Sequence, residues 1–308
     1  HPFMAAVNDN AITDGIDIME GEPYECPSAP FGGIEQLAWS PDSKQIAYSS
    51  RKRTGLHYAI STDADIYLYD IDSHATHNLC KPADYTEPAI NPTKSMKDQP
   101  VNHQDGDMNV GYDTAPCFSP DGKYVAWLSM VHNGYESDRN RLLVYDLATG
   151  KKEYVSEKLD TNVDAFCWNS DNKSIYFISV WHGCANIYQT NLRGEVHQVT
   201  EGQYDYGSLQ MIGNTKKLLV TRHSMSHPDE IFVINPKKKT EITQITDENK
   251  HIFDQLAVGK VEPRWVKTTD NKDMLVWIIL PPHFDPNKKY PTLLFCEGGP
   301  QSPVSQFW

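Results

Sequence analysis

Two polar segments carry side chains that could bind a charged group. Glu136 and Arg139 lie in the segment GYESDR at 134–139, and Glu35 follows the sequence FGG. A carboxylate binds an ammonium group through a charge-assisted hydrogen bond, which is stronger than a neutral one. Glu136 and Glu35 are therefore candidates to hold an amine, with Arg139 beside the first. The same spacing also fits an ordinary solvated loop that contains a local Asp138–Arg139 pair.

A pair of glycines follows the last apolar run of the chain. Residues 291–296 (PTLLFC) favour a strand that is buried on both faces, and Glu297, Gly298 and Gly299 come next. Glycines let backbone N–H groups approach an anionic oxygen, and each such donor contributes about 3–4 kcal/mol in an acyl-transfer transition state. Gly298 and Gly299 are therefore candidates for an oxyanion loop. A plain turn is the alternative.

The elements that must position these residues repeat along the chain. Each repeat begins with a large apolar residue, passes through a polar turn to a lysine five residues later, and resumes with strand-forming residues. The four lead residues are Trp39, Phe118, Trp168 and Met211. Two further strands follow each hairpin, and four antiparallel strands make one blade of a β-propeller. The predicted fold class is mainly β, with a partial propeller of four blades and outer strands of another blade within 12–25.

The pattern changes after residue 250. Strands predicted at 262–267 and 274–280 form a hairpin ahead of the apolar run at 291–296. This order predicts two domains: a β-propeller, incomplete at its N-terminal side, over 1–250, and the first strands of an α/β-hydrolase domain over 251–308. The lead residues are separated by 79, 50 and 43 positions. The long first spacing predicts an insertion between 82 and 111, and loops of that length tend to be functional or mobile.

Composition excludes several classes of protein. The 308 residues carry a formal net charge of −13, which repels phosphate backbones and argues against a nucleic-acid partner. No apolar run reaches the roughly 18 residues of a membrane span. The six cysteines are scattered, and they fit small buried hydrophobes or, alternatively, one or two disulfides. His74, His77 and Cys80 would point to opposite faces of a strand, so the sequence predicts neither a metal nor a cofactor.

Several motifs together resemble the prolyl oligopeptidase family of serine peptidases. They are the repeats of the type W/F-S-P-D-G-K, the hairpin ending in IILPP and the junction KYPTLLFCEGGP, and the resemblance covers nearly the whole chain. The segments PSAPFGGIE and GYESDR are similar to the dipeptidyl-peptidase V and acylaminoacyl-peptidase-like branch. The resemblance implies a propeller that gates and orients peptide substrates, and a hydrolase that releases dipeptides from peptide N termini. It also implies carboxylates that hold the substrate amine, and makes Glu136, Glu35, Arg139 and Glu297 the substrate-binding candidates.

Two departures shape what the resemblance implies. The chain contains no G-x-S-x-G, so the serine, histidine and aspartate of a triad are expected outside it. Many members carry His or Tyr at the position of Glu297, and an ionised glutamate cannot donate to an oxyanion. An acylaminoacyl-peptidase or oligopeptidase, or a non-catalytic TolB-like interaction propeller, are the alternative functions. The family also implies a periplasmic or secreted location, and it allows a homodimer.

Overall fold

Strands dominate the computed structural model, which describes residues 1–8, 11–29, 32–87, 89–91, 93–95, 98, 110–134, 138–237, 241–296 and 302–308. Residue contacts divide the chain into two compact units. The first comprises His1–Val163 and Asn191–Glu195, and the second comprises Asp164–Thr190 and Val196–Trp308. None of the helices in the described part of the chain has the length and hydropathy to span a membrane.

Short strands at the N terminus pair with one another. They are β1 (Phe3–Met4), β2 (Val7–Asn8), β3 (Ala11–Ile12) and β4 (Ile16–Asp17). β1 pairs with β4 and β2 with β3, both antiparallel. Strands were predicted within 12–25, but they lie mostly earlier, because the residues after Asp17 form turns. Ile18, Met19 and Cys26 are nevertheless buried against the tyrosines of the first sheet.

Two four-stranded antiparallel sheets build the rest of the first unit. The first sheet contains β5 (Leu37–Trp39), β6 (Gln45–Ser50), β7 (Asp65–Asp70) and β8 (Thr76–Asn78), with α1 (Gly55–Ile60) between β6 and β7. The second contains β9 (Asp113–Phe118), β10 (Tyr124–Ser129), β11 (Arg141–Asp146) and β12 (Lys152–Tyr154). Apolar side chains of both sheets form one core around the fully buried Trp127.

The second unit contains two more sheets of the same pattern and a long hairpin. The third sheet contains β13 (Ala165–Trp168), β14 (Ser174–Trp181), β15 (Cys184–Asn191) and β16 (Val196–Gln198). The fourth contains β17 (Asp205–Met211), β18 (Leu218–Ser224), β19 (His227–Ile234) and β20 (Ile242–Gln244). Helix α2 (Lys250–Phe253) precedes the hairpin of β21 (Lys260–Lys267) and β22 (Asp273–Leu280). The predicted hairpin and the predicted four strands per repeat are thus confirmed.

The turn at each repeat closes with an equivalent backbone hydrogen bond. The amide one residue after the lead residue donates to the carbonyl five residues further on, at 2.8–2.9 Å. The four pairs are Ser40–Gln45, Ser119–Tyr124, Asn169–Ser174 and Ile212–Lys217. Three turns place the fourth residue after the lead in the left-handed region, at Ser43 (φ 60°), Gly122 (φ 71°) and Asn172 (φ 56°). The predicted register of the repeats is therefore confirmed, including the divergent fourth copy.

The strand predicted at 291–296 is wrong in this structure. These residues have no strand pairing, and Leu293 and Leu294 are 97% and 85% exposed. A buried strand needs a ladder on each edge and apolar surface on both faces. No strand in the described part of the chain pairs with 291–296 or covers its faces, so its apolar sequence alone does not make it a strand.

The cysteines are all free thiols in the structure. Cys26, Cys80 and Cys184 are buried, as expected of small hydrophobes, whereas Cys296 is exposed. The interpretation of the cysteines as small buried hydrophobes therefore holds for only part of the six. Cys80 is buried but polar in its surroundings, since its thiol donates to Asp113.

Candidate functional site

Connecting segments of the first unit meet at one edge of its two sheets. β6 ends and β7 begins at this edge of the first sheet, and Asp113 at the start of β9 lies beside it. The amide of Asp113 donates to the carbonyl of Ala64 at 3.0 Å, next to a parallel bridge between Ala64 and Tyr112. We call the residues 51–64, 79–87, 130–134 and 138–140 the charged edge.

Four side chains of the charged edge and of β7 form a buried ionic network. Arg53, Asp63, Asp65 and Lys81 are each at most 5% exposed in their side chains. The ammonium of Lys81 lies 2.8 Å from Asp63 and also contacts Asp65, while Arg53 pairs with Asp63. The half-buried Glu87 lies 2.8 Å from Nε of Arg53. The two cations therefore balance the two aspartates within the fold, and Glu87 adds a third carboxylate at the margin of the network.

Burial and pairing shift the protonation equilibria of the network in opposite directions. Burial opposes ionisation of Asp65, but Lys81 and Arg53 outweigh it and hold the pKa of Asp65 below its usual value. Burial and the neighbouring charge of Asp65 raise the pKa of Asp63 to about 6. The pKa of Lys81 is raised, because Asp65 and Asp63 overcome the effect of its burial. The network therefore favours a charged lysine shared by two carboxyl groups.

Cys80 links this network to a further buried carboxyl group, that of Asp113. Its thiol donates to Asp113 at 2.9 Å, and burial raises the pKa of the thiol well above its usual value. Burial also raises the pKa of Asp113 to about 7. Ligand atoms of Asp65, Cys80 and Asp113 lie within 4.8 Å of one another, but the ammonium of Lys81 already compensates Asp65. The cluster thus has an internal cation.

The two histidines of the His74, His77 and Cys80 spacing lie apart from this cluster. Nδ1 of His74 lies 2.6 Å from the hydroxyl of Tyr69, and His77 is exposed on β8. Cys80 is buried at the opposite side, beside Asp113.

Both ends of the predicted GYESDR loop are held at the charged edge. The amide and hydroxyl of Thr62 donate to Asn133 at 2.6 and 2.8 Å, and the amide of Gly134 donates to Thr62 at 2.6 Å. At the other end, Asp138 accepts from the amide of Val131 at 2.8 Å and from Arg141 at 3.0 Å. Burial works against these donors, but together they hold the pKa of Asp138 well below its usual range.

Arg139 braces this loop against the following connection. Its guanidinium donates to the carbonyls of Leu159 and Glu157, the latter at 3.1 Å, and lies 2.9 Å from the Glu157 carboxylate. The ion pair predicted between Asp138 and Arg139 does not form, because the Arg139 side chain pairs with Glu157 instead. Asp138 forms its ion pair with Arg141, the first residue of β11, at 3.0 Å.

Glu35 lies in a short 3₁₀ turn, Ile34–Gln36, just ahead of β5 rather than at the start of the strand itself. Its exposed carboxylate accepts from the amide of Gly33 at 2.7 Å. The neighbouring Gln36 is 1% exposed, accepts from the amide of Ser28 at 2.7 Å and donates to Tyr112. A Cβ on Gly32 would lie 2.4 Å from the Gln36 side chain, so this close approach requires glycine.

The remaining predicted site residues, Glu136, Glu297, Gly298 and Gly299, lie outside the described residues. Among those described, the structure places Arg139 at the charged edge and Glu35 ahead of the first sheet. Sequence reasoning missed Arg53, Asp63 and Lys81. Two aspartates that flank Ala64 at the start of a strand were the available signal, because residues two apart share a face.

No family model matches the chain. It is 46% identical over 309 aligned positions to Dipeptidyl-peptidase 5 of Porphyromonas gingivalis, which covers 100% of this chain and 41% of that relative. It is 42% identical to Dipeptidyl-peptidase 5 of Porphyromonas endodontalis, over 100% of this chain and 40% of the relative.

Among solved structures, a puromycin hydrolase variant in complex with PGG has a TM-score of 0.50. It is 12% identical, over 83% of this chain and 35% of that one, which shows similarity of fold alone. The relatives confirm the resemblance to the dipeptidyl-peptidase V branch. Along its whole length the chain is homologous to proteins named dipeptidyl-peptidase 5, and it spans about two fifths of their length.

Proposed function

We propose that this chain is part of a serine exopeptidase that releases dipeptides from peptide N termini. The observation that carries the proposal is the identity of 46% with a Dipeptidyl-peptidase 5 along the whole chain. In this proposal, the four repeated sheets are propeller blades that gate and orient the peptide. The segment 251–308 is the start of the hydrolase domain, and the triad lies outside the chain.

The charged edge supports a role in substrate orientation. Its ionic network is buried and internally neutral, which makes it a rigid base rather than a binding group. One end of the GYESDR loop is fixed through Asn133 to Thr62, next to Asp63 of this network, and the other end is fixed through Asp138 to Val131 and Arg141. A loop held in this way can present Glu136 to a substrate ammonium at low entropic cost, since preorganisation reduces the freedom lost on binding. Glu35 is the second candidate for the same task.

The glycine pair supports the chemistry of the cut. We assign oxyanion stabilisation to the backbone N–H groups around Gly298 and Gly299, with Glu297 at the entrance of the loop as a substrate contact. Arg139 contributes mainly by bracing the GYESDR loop, given its three contacts with 157–159. These roles require no cofactor, since the nucleophile and its base are side chains in this class of reaction.

The experiment uses the full-length protein that contains this chain. Initial rates are measured on a chromogenic dipeptide ester or anilide with a free amine and on the same compound with an acetylated amine. We expect at least a tenfold preference for the free amine, because a charge-assisted hydrogen bond contributes about 1.5–3 kcal/mol. A serine-directed phosphonate should abolish the activity.

The alternatives give different outcomes. Equal or faster cleavage of the acetylated compound would identify an acylaminoacyl-peptidase or oligopeptidase and remove the amine anchor. An absence of hydrolysis and of phosphonate labelling would favour the non-catalytic propeller. Periplasmic or secreted location belongs to the same proposal, and cell fractionation of the producing organism tests it.

A further inference from the structure

A cavity of about 380 Å³ lies on one face of the fourth sheet, within the second unit. Its volume falls in the range of roughly 300–1,000 Å³ that is typical of small-molecule sites. The sheet supplies one wall, and the segment containing α2 supplies another. The lining residues that matter most are Tyr204, Arg222, Glu230, Asp247, Lys250 and Phe253. None of the residues assigned to the function proposed above lines this cavity.

Arg222 is held between aromatic rings in this cavity. Its guanidinium carbon lies 4.2 Å from the ring centre of Tyr204 and 3.9 Å from that of Phe232. Aromatic faces fix the plane of a guanidinium and leave its edge N–H groups available to an acceptor. Among the described residues, Arg222 has no carboxylate within ion-pair distance. Such an arginine is suited to binding a carboxylate in its plane.

The cross-strand neighbour of Arg222 is already committed elsewhere. Glu230 pairs with Arg222 in the register of β18 and β19. Its carboxylate accepts from the hydroxyl of Thr246 and, at 3.4 Å, from the amide of Asn249. These donors hold the pKa of Glu230 below its usual value. Glu230 therefore stays ionised and holds the segment that closes the cavity, and its carboxylate is committed to Thr246 and Asn249 rather than to Arg222.

The closing segment brings a second charge that lacks an ion pair. Asp247 lies between Thr246 and Asn249, the two residues that hold Glu230, and its carboxylate has no cation within ion-pair distance in the described part of the chain. Lys250, by contrast, pairs with Asp254 at 2.8 Å. The cavity thus offers one cation and one anion that are not matched to each other, with acidic groups in excess. A ligand that carries both an ammonium and a carboxylate complements this lining.

We propose that the cavity binds a short zwitterionic peptide, a dipeptide with an apolar side chain. Its carboxylate lies on Arg222, its ammonium faces Asp247, and its side chain packs against Tyr204 and Phe253. The identification of the occupant as a released dipeptide rests on the proposed function, whereas the charge and aromatic arrangement does not. The cavity is then a product-binding site separate from the bond that is cut.

The test measures equilibrium binding of leucyl-phenylalanine to the full-length protein by isothermal titration calorimetry. The protein is first treated with a serine-directed phosphonate, so that an active site, if present, is blocked. We expect one saturable site. Arg222→Gln and Asp247→Asn should each weaken binding at least about tenfold, equivalent to about 1.4 kcal/mol. N-acetylation and C-amidation of the dipeptide should each cause a similar loss.

Arg264→Gln is the matched control, because Arg264 is an exposed arginine on β21 that does not line the cavity. It should bind the dipeptide as the unmodified protein does. The proposal is overturned if no saturable binding occurs, if the blocked peptides bind equally well, or if Asp247→Asn binds normally. Asp247 is exposed, so this variant tests the proposal even where Arg222→Gln does not fold. Binding that depends on Arg222 without any dipeptidyl hydrolysis would reject the proposed function alone.

Discussion

At the residue scale, the charged edge withdraws Arg53, Asp63, Asp65 and Lys81 almost completely from water. Removing an ion from water opposes folding by several kcal/mol, and the attraction between opposite charges offsets this only when the pairing is complete. Here each charged group has at least one opposite partner, and Asn78 adds a hydrogen bond to Asp65 at 2.9 Å. Such a network tolerates the loss of one member poorly.

Lys81→Met should destabilise the protein by about 3–5 kcal/mol, because it leaves Asp63 and Asp65 buried without their shared cation. Urea denaturation measures the change. The matched control is Lys151→Met, since Lys151 pairs with Glu153 at the surface with 70% and 52% exposed side chains. Exposed pairs contribute about 0–1 kcal/mol. Similar losses for the two variants would contradict the network.

Asp113 makes stability depend on pH in a defined direction. Burial raises its pKa to about 7 from the ordinary 3.8, so the folded state binds this proton more tightly than the unfolded state. The resulting stabilisation is complete below about pH 4 and is lost as pH rises through 7. The titratable groups around Asp113 are Cys80, Asp65 and Lys81.

Asp113→Asn removes this titration while keeping an acceptor for the thiol of Cys80. The free energy of unfolding of the variant minus that of the unmodified protein should be larger at pH 8 than at pH 5, because only the unmodified protein carries a buried ionised Asp113 at pH 8. The free energy of unfolding at the two pH values, from urea denaturation, measures this. A stability difference that is independent of pH would show that Asp113 has an ordinary pKa in the fold. The charged neighbours remain in both proteins and serve as the internal control.

At the scale of elements, three of the four hairpins share one turn geometry and differ in the residue at the left-handed position. Gly122 occupies it without strain, whereas Ser43 occupies it at φ 60° with a side chain. The left-handed conformation destabilises a residue with a Cβ by roughly 1–2 kcal/mol. Glycine avoids this strain but loses more conformational entropy on folding, which offsets part of the gain. The turn sequence therefore decides hairpin stability locally.

Ser43→Gly should stabilise the protein by up to about 1 kcal/mol, because it relieves the left-handed backbone. Thermal denaturation measures the effect. Gly122→Ser is the reciprocal control and should destabilise by a similar amount, since its Cβ would meet Pro41 only at an ordinary 3.6 Å. Destabilisation by Ser43→Gly would show that serine has a role in the turn beyond its backbone conformation.

At the scale of the whole molecule, the described sheets act as a scaffold and the proposed contacts with substrate lie in connections. Residues 134 and 138, on either side of 135–137, are fixed to the charged edge. In the proposed exopeptidase, the propeller thus measures the peptide from its amine, and the hydrolase domain cuts it. The cavity beside the fourth sheet adds a separate site for a dipeptide.

Glu136→Gln should raise KM for a free-amine dipeptidyl substrate about tenfold or more and change kcat little, since it removes a charge-assisted contact with the substrate amine. Steady-state kinetics of the full-length protein measure both constants. Glu153→Gln on β12 is the control, because Glu153 pairs only with Lys151 among the described residues. An unchanged KM in Glu136→Gln would leave Glu35 as the remaining amine anchor.

The sequence by itself determined the repeated hairpins, their register and the third and fourth strands. Turn chemistry and alternation of apolar residues act over fewer than ten positions, so they can be predicted locally. Only the tertiary structure decided that Arg53, Asp63 and Lys81 meet in one network, because their burial depends on contacts between distant segments. It also decided that 291–296 is exposed, since an apolar run becomes a strand only where other strands pair with it. The cavity around Arg222 is likewise a product of packing between a sheet face and a later segment, which no local pattern encodes.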